Sequence, residues 1–390
     1  MKIGIITFWE STDNYGQVLQ AYALQKVLKN MGHEPFLIRY SLKASLGESR
    51  KPSLLRKVIK VMTIYPMLKA IKRNIRQRED IACRKKIEEK NILRKFSEFR
   101  DMNITYSELI YNSIEELKEN PPQADCYITG SDQVWTMLLS IEGNAAYYLD
   151  FGKEDVLRIS YAASFGRPYY PIELQSKLSY LLKKFRAISV REKEGVNICT
   201  TLGLKATLVL DPTLLLKKED YLYFCTNNDN SKRKIYAYSI NIRTPQELYW
   251  EEVKKYACEN DLPIIVTTSS GNIPGREIYK DVVYSYSTIS EWIMQINNAE
   301  LVVTTSFHGV VFCLLMHTNF VYVPLKSTGA KGNGRVESLL SSVGLKNKQC
   351  LEKGKFKKCV STEISWDIVD RNIERLRKAS LSFLTNALNK

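Results

Sequence analysis

Leu301-Val302-Val303-Thr304-Thr305-Ser306-Phe307-His308-Gly309-Val310, continuing in apolar residues to Met316, reads as a buried strand, a polar turn and a helix. It is half of a βαβ unit, and the same alternation of short apolar runs with longer amphipathic stretches fills the rest of the chain. The expected fold is therefore α/β, with two Rossmann-like domains built on parallel sheets. In the first half, strands are expected near Ile3 to Thr7, Pro35 to Arg39, Cys126 to Thr129, Arg158 to Ala162 and Ala187 to Val190. Helices are expected near Tyr15 to Met31 and Ile172 to Phe185. In the second half, strands near Lys234 to Ser239, Pro263 to Thr267, Leu301 to Thr304 and Phe320 to Val323 alternate with helices near Pro245 to Glu259 and Ser290 to Asn297. The polar run Thr226-Asn227-Asn228-Asp229-Asn230-Ser231 is the best linker. This divides the chain into residues 1–213, 214–365 and a C-terminal helix within 366–390, with a basic helical insertion at about 45–105.

The 390 residues, 44% of them hydrophobic, suffice for two cores. Met1 leads directly into the strand-like Lys2-Ile3-Gly4-Ile5-Ile6-Thr7, and no apolar run reaches membrane-spanning length, so a cytoplasmic protein is expected. Eight cysteines are scattered without a C-x-x-C pair, and the three histidines, His33, His308 and His317, lack metal-ligand spacing. Neither disulfides nor a metal site is expected. The formal charge of +15 is concentrated: residues 50–100 hold seventeen Lys and Arg against five Asp and Glu, a local excess of +12. Apolar and basic residues alternate there at helical spacing, which suits a solvated insertion or a peripheral contact with anionic membrane at the inner face. Stacking aromatics are not interleaved with these charges, so nucleic acid is not expected as a partner.

Open α/β sheets bind ligands beyond the carboxyl ends of their strands, so strand ends that run into unusual polar sequence are the candidate site. Five do so: Asp13-Asn14-Tyr15-Gly16-Gln17, Gly130-Ser131-Asp132-Gln133, Ala163-Ser164-Phe165-Gly166, Ser189-Val190-Arg191-Glu192 and Thr305-Ser306-Phe307-His308-Gly309. Ser306 and His308 fall at a helix N-terminus, where free N–H groups favour an anion, and Gly309 would let a ligand approach the backbone. His308 is the one histidine placed to act as general acid or base; its other reading is a helix cap. Arg191 closes an apolar strand and suits a two-pronged bond to phosphate or carboxylate, or else a salt bridge to Glu192 or Glu194. Arg335, in Gly332-Asn333-Gly334-Arg335, would hold the same anion or simply start a helix. Asp132 would orient a sugar hydroxyl or cap a turn, and Asp211-Pro212 reads as a turn at the domain junction.

Taken together, Asn14-Tyr15-Gly16 with Leu19-Gln20-Ala21-Tyr22-Ala23-Leu24, Gly130-Ser131-Asp132-Gln133-Val134-Trp135, Ser160-Tyr161-Ala162-Ala163-Ser164-Phe165-Gly166, Ser189-Val190-Arg191-Glu192, Asp211-Pro212-Thr213 and Ser306-Phe307-His308-Gly309 resemble the polysaccharide pyruvyl transferase family. The resemblance runs in family order over most of the chain, leaving out the basic insertion and the tail. It implies a fold like the glycosyltransferase-B type with the active site in the interdomain cleft. It implies phosphoenolpyruvate as co-substrate with no other cofactor, and a saccharide acceptor of a surface polysaccharide or exopolysaccharide, free or lipid-linked. His308 would be the acid/base, with Arg191, Arg335, Ser306 and Gly309 at the donor and Asn14, Gln17 and Asp132 at the acceptor. Two other classes stay open: a nucleotide-sugar glycosyltransferase of the same architecture, and a non-enzymatic membrane-associated scaffold.

Overall fold

The computed structural model describes residues 1–41, 89–136, 142–225, 233–269 and 277–389. Most of the basic stretch and the linker 226–231 lie outside them. The first sheet contains β1 (Lys2–Ile6), β2 (Glu34–Tyr40), β3 (Tyr106–Tyr111), β4 (Cys126–Thr129) and β5 (Leu157–Ser160), all parallel, in the order β3-β2-β1-β4-β5. Two short parallel strands, β6 (Ser189–Val190) and β7 (Thr207–Leu208), extend it beyond β5 through isolated bridges. The second sheet contains β8 (Ile235–Ile240), β9 (Ile264–Ser269), β10 (Val283–Tyr284), β11 (Leu301–Thr304) and β12 (Phe320–Tyr322), again all parallel, in the order β10-β9-β8-β11-β12.

The two orders are the same once each sheet is numbered from its own first strand. In each, the chain winds outward from the first strand and returns on its other side, so the winding reverses between β1 and β4 and again between β8 and β11. A crevice opens at such a reversal because the two flanking helices depart to opposite faces of the sheet.

Burial follows the alternation of the strands. Ile3, Ile5, Cys126 and Ile128 face one way, and Tyr236, Tyr238, Val302 and Tyr322 face it from the second sheet; all belong to one apolar cluster that continues through both domains. The helices Tyr15–Asn30, Phe307–Met316 and Trp366–Leu388 supply much of that cluster, joined by the helices Ile289–Asn297 and Gly334–Val343. The other faces carry their own cores, around Ile38, Tyr127 and Trp135 in the first domain and Ala237, Val266 and Val303 in the second. The helix Tyr15–Asn30 is buried on nearly every side, because its first turn reaches the second domain. There Tyr15 stacks on Trp292 with ring centroids 5.0 Å apart and donates its hydroxyl to the Ser287 carbonyl at 2.6 Å. The C-terminal helix crosses back: the Leu210 N–H donates to Ser380 Oγ at 3.0 Å, and Arg377 Nε donates to the Leu214 carbonyl at 2.8 Å.

β3 and β10 escaped the strand pattern expected from sequence. Both are edge strands; Glu108-Leu109-Ile110 is exposed along its length and Val283–Tyr284 is only two residues, so neither shows a buried face to be recognised. The helix expected over Pro245 to Glu259 is broken at Tyr249, whose φ of +51° ends a 3-10 turn before the helix Trp250–Glu259 begins. Where the basic segment re-enters the described residues it is fastened to both domains. Arg94 is buried, donating to the Tyr15 hydroxyl at 2.6 Å and to the Thr268 carbonyl at 2.7 Å. Among the described residues no helix is long and apolar enough to cross a membrane.

Candidate active site in the interdomain crevice

A cavity of about 560 Å³ lies where the two reversals face each other. The connection after β1 brings Asn14 and Gln17, that after β4 brings Asp132 and Gln133, that after β8 brings Asn241 and Arg243, and that after β11 brings Thr305 to His308. A larger hollow of about 670 Å³, lined by Lys2, His33, Glu34 and Pro121, sits at the amino ends of the first sheet's strands, the end opposite to the one where ligands of such sheets bind.

Beneath the crevice is a buried set of charges. The Arg191 side chain is 1% exposed and donates from Nη1 to Asp211 Oδ2 at 2.7 Å and to Ser131 Oγ at 3.2 Å, and from Nη2 to Asp132 Oδ1 at 3.1 Å. The sequence pattern put Arg191 on the donor or on Glu192 or Glu194. Its terminal nitrogens instead hold Asp132 and Asp211 together under the cavity floor. Burial alone would raise both carboxylates; for Asp132 the Arg191 charge, and for Asp211 the facing His308 and then Arg191, outweigh it and hold them below the usual range. Glu192 goes the other way: burial prevails over Arg191 and Arg335 and pushes it up, although Oε1 accepts from Ser164 Oγ and from the Phe165 and Gly166 N–H groups. Asp132 sits at φ +84°, a left-handed backbone that presents its carboxylate to the crevice, and its Oδ2 has no hydrogen-bond partner among the described residues.

His308 lines the cavity with its ring 7% exposed. Its Nε2 is 3.6 Å from Asp211 Oδ2, an ion-pair separation too long for a hydrogen bond, and is otherwise unpartnered among the described residues. Gly16 explains the ring's seat: a β-carbon there would lie 1.9 Å from His308 Nδ1 and 2.3 Å from Cγ. Gly16→Ala is expected to leave the fold intact but expel the ring and lower turnover about a hundredfold, as a 1 Å misplacement can; turnover equal to the parent's would show that the ring needs no such seat. Ser306 caps the following helix, its Oγ accepting the Gly309 N–H at 3.2 Å. Gly309 does not line the cavity. A β-carbon on it would meet Thr304 Oγ1 at 2.4 Å, so glycine here admits the helix against its strand rather than a ligand. Gly309→Ala is accordingly expected to cost about 1–3 kcal/mol of stability, measured by urea unfolding.

Arg335 lies in the first turn of the helix Gly334–Val343, so the glycine-flanked segment is a helix start, and the guanidinium still faces the crevice. Its Nε donates to the Gly332 carbonyl at 3.0 Å while its terminal nitrogens have no hydrogen-bond partner among the described residues. Burial and the neighbouring Arg191 lower its pKa to about 10, which leaves it charged at neutral pH. Phe307 separates the two guanidiniums, with Arg191 4.7 Å and Arg335 5.8 Å from its ring centroid. Asn14 caps its helix by accepting the Gln17 N–H at 3.4 Å, and both residues face the cavity. The sequence reading took Asp211 for a turn at the domain junction, whereas the structure puts it in the buried charge cluster, and it missed the cations Arg167, Arg243, Lys326 and Lys331 on the cavity wall. Asp211 could have been found from its place in the motif Asp211-Pro212-Thr213; the lysines are ordinary surface residues until the domains face one another. With Arg335 these cations face only Asp132 and Glu247 among the lining carboxylates, which makes the crevice an attractor for anions.

The family model described as polysaccharide pyruvyl transferase matches residues 14–327, a span holding every candidate residue except Arg335. No curated protein matches the chain. Among solved structures, the chain is similar to a UDP-GlcNAc 2-epimerase from Methanocaldococcus jannaschii in complex with UDP-GlcNAc and UDP, at 12% identity and TM-score 0.51, covering 97% of this chain and 100% of that one. It is also similar to a putative UDP-N-acetylglucosamine 2-epimerase from Listeria monocytogenes, at 9% identity and TM-score 0.49, covering 97% and 90%. A third likeness is to MnaA of S. aureus with UDP, at 12% identity and TM-score 0.46, covering 100% and 92%. At such identities the likeness is one of fold, and the fold is of the glycosyltransferase-B type. With that architecture and a family model spanning most of its length, the chain belongs to the polysaccharide pyruvyl transferase family.

Proposed function

We propose that this protein takes pyruvate from phosphoenolpyruvate and bridges two hydroxyls of a sugar with it as a ketal, releasing phosphate. The sugar would belong to a bacterial surface polysaccharide or its lipid-linked precursor, met at the cytoplasmic face of the membrane. The observation that carries this reading is one imidazole, His308, beside an anion-attracting crevice wall that includes the unpartnered end of Arg335. Ketal formation requires a proton on the methylene carbon, a first hydroxyl added to the adjacent carbon, departure of phosphate, and attack by the second hydroxyl with loss of its proton. The methylene gains the first hydroxyl's proton and the phosphate carries off the second, so a single group that accepts and returns protons suffices. Arg335 would neutralise the phosphate as it departs, and the enclosed crevice would keep water from the cationic carbon.

The acceptor would lie toward Asn14, Gln17 and Asp132, whose free Oδ2 can receive a sugar hydroxyl. The remaining cations, Arg167, Arg243, Lys326 and Lys331, exceed what one small trianion needs and suit an acceptor that itself carries phosphate. The test is phosphate release from phosphoenolpyruvate across a panel of lipid-linked saccharides, with thermal protection measured beside it. Protection by phosphoenolpyruvate and acceptor-dependent release are expected; protection by UDP but not by phosphoenolpyruvate would overturn the reading in favour of nucleotide-sugar transfer. Arg335→Ala is expected to raise KM for phosphoenolpyruvate about 10- to 150-fold, the worth of about 1.5–3 kcal/mol for hydrogen bonds to a charged group.

A further inference from the structure

The acid/base residue stands on one sheet and its support comes from the other. Asp211 follows β7, and its side chain is wholly buried. Oδ1 accepts the Thr213 N–H at 3.0 Å and the Thr213 hydroxyl at 2.6 Å. Oδ2 accepts Ser131 Oγ at 2.7 Å and Arg191 Nη1 at 2.7 Å. These four donors fix the carboxylate plane and leave Oδ2 3.6 Å from His308 Nε2. That nitrogen is buried without a hydrogen bond, while Nδ1 lies along the Gly16 side of a ring that lines the crevice. Capping the 3-10 turn Pro212–Leu214 accounts for Oδ1 alone; it explains neither the approach of Oδ2 to the imidazole nor its sharing with Arg191.

An imidazole that relays protons must commit one nitrogen as N–H so that the other presents its lone pair, and a buried carboxylate makes that choice while stabilising the imidazolium. Hydrogen bonds of this kind are often long without substrate and tighten in the complex. We infer that Asp211 is a positioning residue for His308, holding the Nε2–H tautomer and supplying the counter-charge when Nδ1 takes a proton from the acceptor. This rests on the proposed role of His308. Arg191 in turn keeps the Asp211 carboxylate ionised and aimed, so that guanidinium, carboxylate and imidazole form one chain from the first domain into the second.

The tautomer can be read directly from ring-¹⁵N-labelled histidine in the whole protein, since there are three histidines and His308→Gln identifies the signal by its loss. A pyrrole-type Nε2 with a pyridine-type Nδ1 is expected in the parent; the opposite pattern overturns the inference. In kinetics, Asp211→Asn is expected to lower kcat about a hundredfold or more while KM for phosphoenolpyruvate stays within about threefold. A variant losing activity only in proportion to its unfolded fraction would also overturn it. If Asp211→Asn does not fold, the tautomer of the parent still decides. If the parent shows no turnover of phosphoenolpyruvate at all, that counts against the pyruvyl-transfer reading, and the tautomer measurement judges Asp211 independently.

Discussion

Replacing His308 with glutamine is expected to lower acceptor-dependent phosphate release from phosphoenolpyruvate by about a hundred- to ten-thousand-fold, the usual worth of a positioned proton-transfer group. Glutamine roughly keeps the volume that fills the space between Gly16 and Asp211, so packing is largely retained while the ability to accept and return a proton disappears. The fall should therefore appear in kcat, with the melting temperature close to the parent's, because the substitution removes a 3.6 Å contact with Asp211 rather than a hydrogen bond. Phosphoenolpyruvate should still protect the variant against heating, since Arg335 remains. A folded variant that turns over at the parent rate would remove His308 from the chemistry and, with it, the proposed mechanism.

The largest effect on stability is expected at Arg191. Arg191→Ala leaves Asp132 and Asp211 buried with their shared cation gone, and breaking a buried ion pair by removing one partner costs about 3–5 kcal/mol. Both carboxylates have depressed folded-state pKa values in the parent, so the stability they contribute is present above the unfolded value of about 4 and is lost as pH falls through the folded values. Without Arg191 that contribution loses its main support at Asp132 and shrinks at Asp211, which His308 still faces. The gap between parent and variant should thus be widest at neutral pH and shrink on acidification below about 4. Urea unfolding at several pH values measures it; a gap that stays the same from neutral to acid pH would mean that the cluster is not held by charge. Activity should fall as well, because the arginine acts on the crevice through the two aspartates.

The two-sheet architecture was legible because its evidence is local. Ile3 to Thr7, Cys126 to Thr129 and Leu301 to Thr304 are apolar runs buried on both faces by flanking helices, and a strand of that kind is written in consecutive residues. His308 and Asp132 were legible for the same reason, as polar residues placed abruptly after such runs. Edge strands such as Tyr106–Tyr111 lack that covering and left no pattern.

Pairings between residues far apart along the chain could not be read this way. That Arg191 would meet Asp132 and Asp211, residues 59 and 20 positions away, depends on three strand ends converging in depth. That Gly16 exists to seat a ring 292 positions later depends on how one domain's first helix lies against the other's fourth strand. Gly309 shows the limit most plainly: its sequence setting suggested room for a ligand, and the structure gives that room to Thr304. By itself the sequence determined which covered strands and helices form and which polar residues end them, since propensity and burial pattern act over a few neighbouring residues. Only the tertiary structure decided which charge neutralises which, because electrostatic partners are chosen by distance in space and by the loss of water around them.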